Sequence, residues 1–195
     1  KYLEDGNSLR TLNFNSSEKV ILGDLNLITI KPVVYVANID EKVISGDNNH
    51  IDNLNDVVIK EGNGIIKICA SLEEQLNDFN EEDRKMFLDD YNLKESGLDK
   101  LIRISYDALS LLTYFTAGVK EVRAWTIVKG LTAPNAAGVI HTDFEKGFIK
   151  AEVIKYVDFI KYRSEIKCKE HGKLSIEGKG YIVNDGDIMH FRFNV

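Results

Sequence analysis

The sequence has few cysteines and no long hydrophobic segment. Its 195 residues include two cysteines, Cys69 and Cys168, far apart in a chain rich in charged residues. This excludes a disulfide-stapled miniprotein and predicts two reduced thiols. No apolar run approaches the roughly 20 residues needed to cross a bilayer, and no signal peptide opens the chain. We therefore expect no membrane partner and a cytoplasmic location.

Signature motifs of several enzyme classes are also missing. The segment nearest to a phosphate-binding G-x-x-x-x-G-K-[ST] loop is 172–180, which has five residues between its glycines and a glycine where the Mg²⁺-binding hydroxyl belongs. No G-x-S-x-G elbow occurs. Cys168 and His171 are three residues apart, but no second ligand pair lies near them in the sequence. We therefore predict no metal site in this chain.

The composition is that of a folded protein with an uneven charge distribution. Hydrophobic residues make up 44% and charged residues 29%, which excludes a disordered acidic tail. Residues 1–118 contain 12 Lys and Arg against 21 Asp and Glu, a net charge of −9, whereas 119–195 have a net charge of +3. This change of sign predicts two modules with different partners. Because the chain starts with Lys1, we expect it to be a piece of a longer protein.

The positive charge is concentrated between residues 161 and 179. Cations beside aromatic faces suit RNA phosphates and unstacked bases, whereas the alternative is a solvated surface with its aromatics turned into the core. The candidate RNA- or ribosome-facing residues are Lys161, Arg163, Lys167, Lys169 and Lys173, and the interleaved aromatics are Tyr156, Phe159, Tyr162 and Tyr181.

The first part of the chain alternates helix and strand patterns. Asn15 and Glu18 predict the capping box of a helix that runs toward Leu27. The β-favouring run 33–37 is typical of a central parallel strand buried on both faces. Further predicted elements are a weak helix at 51–59 within the loop 42–63, a strand at 65–70, a capping box at 71–74, and helices at 81–91 and 98–112. This alternation predicts an α/β fold with a parallel sheet.

Short strand patterns dominate after about Leu112. We predict strands at 111–115, 121–127, 178–183 and 188–194, with a helix at 135–140 that Pro134 precedes. This is a compact α+β arrangement of a size usual for a small domain. Large aromatics dominate small cores, so we expect them here in the core rather than stacked on RNA; they are Trp125, Phe144, Phe148 and Phe191. For His141 and Asp143 we expect a loop-stabilising hydrogen bond rather than a site.

The predicted strand 33–37 ends in Asn38-Ile39-Asp40-Glu41. Ligands of open α/β sheets bind at the carboxyl ends of strands, where an asparagine can bridge loops and a carboxylate can accept hydrogen bonds from a purine. Ras-like GTPases carry N-K-x-D here; Ile39 and the longer Glu41 should weaken guanine selection and leave an apolar contact for the base. Ala70 and Ser71, after the second strand, lie where such folds place another base-contacting loop.

Five segments together carry a family resemblance. They are 31–38 (KPVVYVAN), 112–118 (LTYFTAG), 121–127 (EVRAWTI), 136–149 (AAGVIHTDFEKGFI) and 185–195 (DGDIMHFRFNV). Together they resemble the Obg-like ATPase (YchF) family of P-loop NTPases, over its C-terminal half. The resemblance implies an α/β partial Ras-like G domain with a parallel sheet, followed by an α+β β-grasp TGS domain. The implied ranges are 1–28 for the end of a helical coiled-coil insertion, 29–110 for the G domain part and 111–195 for the TGS domain.

The resemblance also implies an activity for the parent protein. The family hydrolyses ATP in preference to GTP and associates with ribosomes. Its N-x-x-E motif falls on Asn38 and Glu41, and Ile39 matches the motif position that contacts the nucleotide base. Its phosphate-binding loop and Mg²⁺ ligands would precede this chain. We therefore expect a purine nucleotide and the ribosome or ribosomal RNA as partners, a monomer, no catalytic residue in this chain and no hydrolysis by this chain alone. Two alternatives stay open: a stand-alone RNA-binding or regulatory domain without nucleotide chemistry, and a tRNA-handling module with steeply salt-dependent binding.

Overall fold

The computed structural model describes residues 1–44, 49–61, 64–118 and 121–194. They divide into two compact units, Lys1–Ala108 and Leu109–Val195. Parts of the predicted loop 42–63, at 45–48 and 62–63, lie outside the described residues. Within the described ranges, the helices are too short or too polar to span a bilayer.

The first unit is mainly helical around one pair of strands. Its helices are α1 (Ser16–Asp24), α2 (Asn49–Lys60), α3 (Ala70–Asn77), α4 (Glu81–Asp90) and α5 (Gly97–Ala108), its strands are β1 (Tyr35–Asn38) and β2 (Ile65–Ile68), and short 3-10 turns lie at Leu9–Thr11, Ile28–Ile30 and Glu41–Val43. The two strands are parallel and pair in register from Tyr35 with Ile65 to Asn38 with Ile68. The predicted parallel arrangement is confirmed.

The prediction that β1 is buried on both faces was wrong. Its residues alternate between half-buried and exposed, and Val36 is 43% exposed. Within the described part of the chain, β2 is the one strand paired with β1. Successive side chains of a strand point to opposite faces, so packing on one face leaves every second side chain in solvent.

Two predicted capping boxes have different outcomes. The box at α1 is confirmed, because Asn15 Oδ1 accepts from the Glu18 amide at 2.9 Å and the Glu18 carboxylate accepts from the Asn15 amide at 2.8 Å. The box at 71–74 is wrong, because the N-cap of α3 is Cys69, two residues before Ser71, and it makes no side-chain capping hydrogen bond. The carboxylate of Glu73, within this segment, accepts from the first amide of α5, that of Gly97, at 2.6 Å. It therefore links α3 to α5.

The second unit is a five-stranded mixed sheet with helices. Its elements are β3 (Leu111–Ala117), β4 (Val122–Val128), α6 (Ala133–Ile140), α7 (Thr142–Lys146), β5 (Phe148–Lys155), α8 (Tyr156–Tyr162), α9 (Glu165–Glu170), β6 (Leu174–Glu177) and β7 (Asp187–Phe193). The strand order is β4-β3-β7-β5-β6. The β3–β7 pair is parallel, and the other pairs are antiparallel.

The prediction of a strand at 178–183 was wrong. The strand ends at Glu177, and a turn follows in which the Tyr181 amide donates to the Gly178 carbonyl at 3.2 Å. Ile182 forms only an isolated bridge with Thr132. The interior strand β5, which lies between β7 and β6, and the helices α7, α8 and α9 had not been predicted.

The core of the second unit lies between the sheet and α6. Tyr114 is fully buried, and its hydroxyl donates to the Ala136 carbonyl of α6 at 2.9 Å. The buried cluster comprises Leu112, Tyr114, Ile127, Ala133, Ala136, Ala137, Phe148, Ala151, Val153, Val183, Met189 and Phe191. Trp125 and Phe144 are partly buried against it. The four aromatics predicted for the core therefore all contact it.

Candidate nucleotide-base site and basic surface

The loops after β1 and β2 are joined by Asn38. Its side chain oxygen, Oδ1, accepts from the backbone amide of Ala70 at 3.3 Å. One residue further on, the Ile39 amide donates to the Ile68 carbonyl at 2.8 Å and prolongs the parallel pairing. Both Asn38 and Ala70 are exposed. Asn38 thus fixes the two loops together at the carboxyl edge of the strand pair.

An open cleft of about 770 Å³ lies beside this joint. Its lining residues are Asp40, Glu41, Lys42, Val43, Ser71 and Tyr91. Glu41 begins the 3-10 turn Glu41–Val43, and its side chain, like that of Ser71, is exposed. The structure therefore places Glu41 and Ser71 at one cleft, with hydrogen-bond acceptors open to solvent.

Ile39 lines two cavities other than the cleft of Glu41 and Ser71. It is half-buried and lines two cavities of about 510 and 330 Å³, but not the cleft of Glu41 and Ser71. The smaller cavity is also lined by Asn38, Ile51 and Leu54. Ile39 therefore contributes to an apolar wall next to the Asn38 joint.

The sequence did not predict that Tyr91 lines the cleft of Glu41 and Ser71. Tyr91 caps the end of α4, and its hydroxyl donates to Glu41 Oε1. The hydrogen bond to Glu41, followed by burial, raises the pKa of Tyr91. The two residues are 50 positions apart, and no local pattern links them. Only the tertiary fold brings them together.

The five predicted cations of the second unit lie on α8, α9 and their flanking loops. Lys161, Arg163, Lys167, Lys169 and Lys173 are all exposed. Arg163 ends α8 in a left-handed conformation with φ of 53°. Lys173 pairs with Asp158 at 3.5 Å, and the Lys161 ammonium lies 5.3 Å from the centre of the Tyr162 ring. The five predicted cations are thus exposed within the α8–α9 segment and the residues that flank it.

The interleaved aromatics mostly face inward. Phe159 and Tyr162 pack against a buried cluster of Ile154, Cys168 and Ile188. Tyr181 is half-buried and donates to the Asp187 carboxylate at 2.7 Å. Tyr156, in contrast, is 50% exposed. Three of the four predicted aromatics therefore do not offer an open ring face.

The two candidate histidine positions have local structural roles. His171 stacks on the Tyr162 ring at 4.4 Å, and its Nδ1 lies 2.8 Å from the Lys167 carbonyl. The Cys168 thiol is buried, and burial raises its pKa. His141 Nδ1 accepts from the Asp143 amide at 3.2 Å and caps α7. The expected loop-stabilising hydrogen bond is therefore present.

Comparison with known proteins gives consistent matches over nearly the whole chain. The family YchF-GTPase_C, described as "Protein of unknown function (DUF933)", matches residues 111–194. The ribosome-binding ATPase YchF of Haemophilus influenzae is 48% identical over 193 residues, 99% of this chain and 53% of that protein. The protein of the same name from Bacillus subtilis is 43% identical over 188 residues, 95% of this chain and 51% of that protein.

Solved structures agree with these matches. The Schizosaccharomyces pombe YchF GTPase superposes with a TM-score of 0.84 and 38% identity, over 98% of this chain and 51% of that one. A GTP-binding protein of Pyrococcus horikoshii OT3, with a TM-score of 0.58 and 22% identity over 85% of this chain and 47% of that one, shows a similar fold. The chain spans about half the length of the relatives it matches.

The fold and these matches define a mixed α/β protein with a parallel strand pair, of the same architecture as a solved YchF GTPase. Residues 111–194 match the YchF-GTPase_C domain, and over nearly its whole length the chain is similar to YchF proteins in sequence and in fold.

Proposed function

We propose that this chain is the C-terminal part of a ribosome-associated, ATP-hydrolysing YchF protein, and that its first unit selects the purine base. The observation that carries the proposal is the Asn38 Oδ1 hydrogen bond to the Ala70 amide, 3.3 Å long. It holds two loops at the carboxyl edge of a parallel strand pair, where α/β proteins bind ligands. In this proposal 1–28 end a helical insertion and 29–110 complete a Ras-like G domain.

Base selection follows from the chemistry of the cleft. The exposed Glu41 carboxylate can only accept hydrogen bonds, and the donors of a purine lie on its Watson–Crick edge. Ser71 offers a hydroxyl at the same cleft, and Ile39 an apolar surface beside the joint. ATP is the proposed nucleotide, with GTP bound less well.

Hydrolysis requires groups that this chain does not supply. Phosphoryl transfer depends on a phosphate-binding loop, its lysine and Mg²⁺. No Walker-A sequence occurs between residues 1 and 195. Over the described ranges, no three or more His, Cys, Asp or Glu side chains form a group that could hold a metal ion. We expect purified 1–195 to release no phosphate from ATP, and Mg²⁺-dependent release would contradict this.

For the second unit we propose a TGS domain of β-grasp type that faces RNA on a cytoplasmic ribosome. The mixed sheet packed by α6 supports this fold. The cations on α8 and α9 support a phosphate-rich partner. Since three of the interleaved aromatics face inward, we expect phosphate contacts rather than base stacking to dominate binding.

The test is nucleotide binding to the full-length protein that contains this chain. We expect Asn38→Ala with Glu41→Ala to weaken the affinity for fluorescently labelled ATP by about tenfold to a hundredfold, through the loss of hydrogen bonds at the base. Asn13→Ala with Glu74→Ala is the matched control, because both residues are exposed in the same unit and neither lines the cleft. Unchanged ATP affinity of the Asn38 and Glu41 variant would favour an RNA-binding or regulatory module without nucleotide chemistry.

A further inference from the structure

A tyrosine outside both predicted loops reaches the carboxylate of the cleft. Tyr91 lies at the end of α4, and its hydroxyl donates to Glu41 Oε1. Both side chains line the same open cleft as Ser71. The carboxylate that would meet a base therefore has one oxygen already engaged by the protein.

The tyrosine ring is held in place by its own helix. Its centroid lies 5.0 Å from that of Phe87, and Phe87 in turn packs edge-on against Phe79 at 5.3 Å. The hydrogen bond to Glu41, together with partial burial, raises the pKa of Tyr91. The phenol therefore stays protonated at neutral pH and remains a donor.

The number of open oxygens on Glu41 affects which base it can accept. A carboxylate with two open oxygens can accept two parallel hydrogen bonds. Guanine offers two such neighbouring donors, its N1–H and its 2-amino group. Adenine offers a single exocyclic amine beside the N1 acceptor. Because the Tyr91 hydroxyl occupies one lone-pair position of Oε1, guanine would have to share that oxygen with the phenol, whereas adenine can bind through Oε2 alone.

We propose that Tyr91 is a specificity-determining residue that disfavours guanine by engaging Glu41 Oε1. Tyr91 acts through Glu41 and is a positioning residue rather than a direct ligand of the base. This inference rests on the proposed base-binding role of the cleft. It adds a residue that lies outside the N-x-x-E motif.

The experiment measures the dissociation constants of fluorescently labelled ATP and GTP with the full-length protein. Tyr91→Phe removes the hydroxyl and keeps the ring. It frees the second oxygen of Glu41, so we expect the ratio of Kd for GTP to Kd for ATP to fall about tenfold, the effect of one hydrogen bond to a charged group. Tyr35→Phe is the matched control, since the Tyr35 hydroxyl donates to the Glu61 carboxylate at 2.7 Å and does not line the cleft. It should leave the ratio unchanged.

A double variant tests whether Tyr91 works through Glu41. With Glu41→Ala present, Tyr91→Phe should shift the ratio no further. If Glu41→Ala changes the ratio and Tyr91→Phe does not, the inference is overturned while the base site stands. If the Asn38 and Glu41 variant binds both nucleotides as tightly as the unmodified protein, the proposed function fails, and the inference fails with it. Circular dichroism of each variant checks that the fold is retained.

Discussion

The two units differ in how they bury apolar side chains. Among the described residues, the first unit has six buried apolar side chains and the second has fifteen, although the second is shorter. The first unit has a two-stranded sheet, the second a five-stranded one. Burial of apolar surface is the main stabilising contribution in folding. We therefore expect the second unit to contribute most of the free energy of unfolding of the chain. The first unit carries the exposed polar residues at the carboxyl edge of β1 and β2.

Helix α1 illustrates the first unit. Val20 is 71% exposed and Ile21 67% exposed, and α1 has no buried residue. The helix nevertheless has a complete capping box formed by Asn15 and Glu18. Local hydrogen bonds therefore define its start, whereas an isolated helix of this length is marginal in water. Local signals and tertiary packing thus contribute unequally to the two units.

Hydrogen exchange gives the largest expected contrast between the units. We expect amides of β5 and β7, in the interior of the five-stranded sheet, to exchange on the order of a hundredfold more slowly than those of β1 and β2. The reason is that opening the second unit exposes its buried cluster, whereas β1 and β2 can open with less loss of burial. The measurement is residue-resolved exchange at neutral pH on the whole chain.

Two features of the exchange data check this interpretation. The amides of α1 should exchange nearly as fast as an unfolded peptide, since its apolar side chains are exposed. Equal protection of β2 and β5 would contradict the contrast and indicate that the units unfold together.

Substitution of the buried residue Asp187 is expected to give the next largest effect, a loss of stability of the second unit. The Asp187 carboxylate is fully buried and accepts from Lys155 Nζ at 2.6 Å, from the Tyr181 hydroxyl at 2.7 Å and from the Asn184 amide at 2.9 Å. Asp187→Asn would turn an amide donor toward these donors. We expect a loss of about 3 kcal/mol in the free energy of unfolding of the second unit, as for other broken buried pairs. Urea unfolding measures it.

A surface ion pair of the same unit is the control. Glu121 and Arg123 lie 3.9 Å apart with side chains 68% and 55% exposed. Glu121→Gln should leave the urea midpoint nearly unchanged, because exposed pairs contribute little. Equal losses for the Asp187 and Glu121 variants would argue against burial as the cause.

Local patterns in the sequence predicted much of the first unit. The α1 capping box and the position of Asn38 at a strand end follow from contiguous residues, and the alternation of helix and strand patterns predicted that β1 and β2 are parallel. The loop-bridging role expected of an asparagine at this position is realised by the Asn38 contact with Ala70. Signals of this kind are readable because cause and effect lie within a few residues.

Contacts between distant residues could not be predicted in the same way. Ser71 and Glu74 fit a capping box by spacing, yet the N-cap of α3 is Cys69, and the neighbouring Glu73 carboxylate accepts from the amide of Gly97, 24 residues away. The Glu41 contact with Tyr91 spans 50 residues and likewise has no local signature. In the second unit, β5 does show apolar residues interleaved with Lys150 and Glu152, and this alternation could have predicted the strand.

The smallest expected effect concerns the pH dependence of the second unit. Burial raises the pKa of Tyr114 above its ordinary value of 10.0. Above about pH 10 the unfolded chain therefore loses this proton first, and the free energy of unfolding falls by up to about 1.4 kcal/mol per pH unit. Tyr114→Phe should remove that contribution, at a cost of about 1 kcal/mol for the hydrogen bond to Ala136. Urea unfolding from about pH 8 to 11 measures both, and an unchanged alkaline slope in the variant would show that the buried phenol does not cause it.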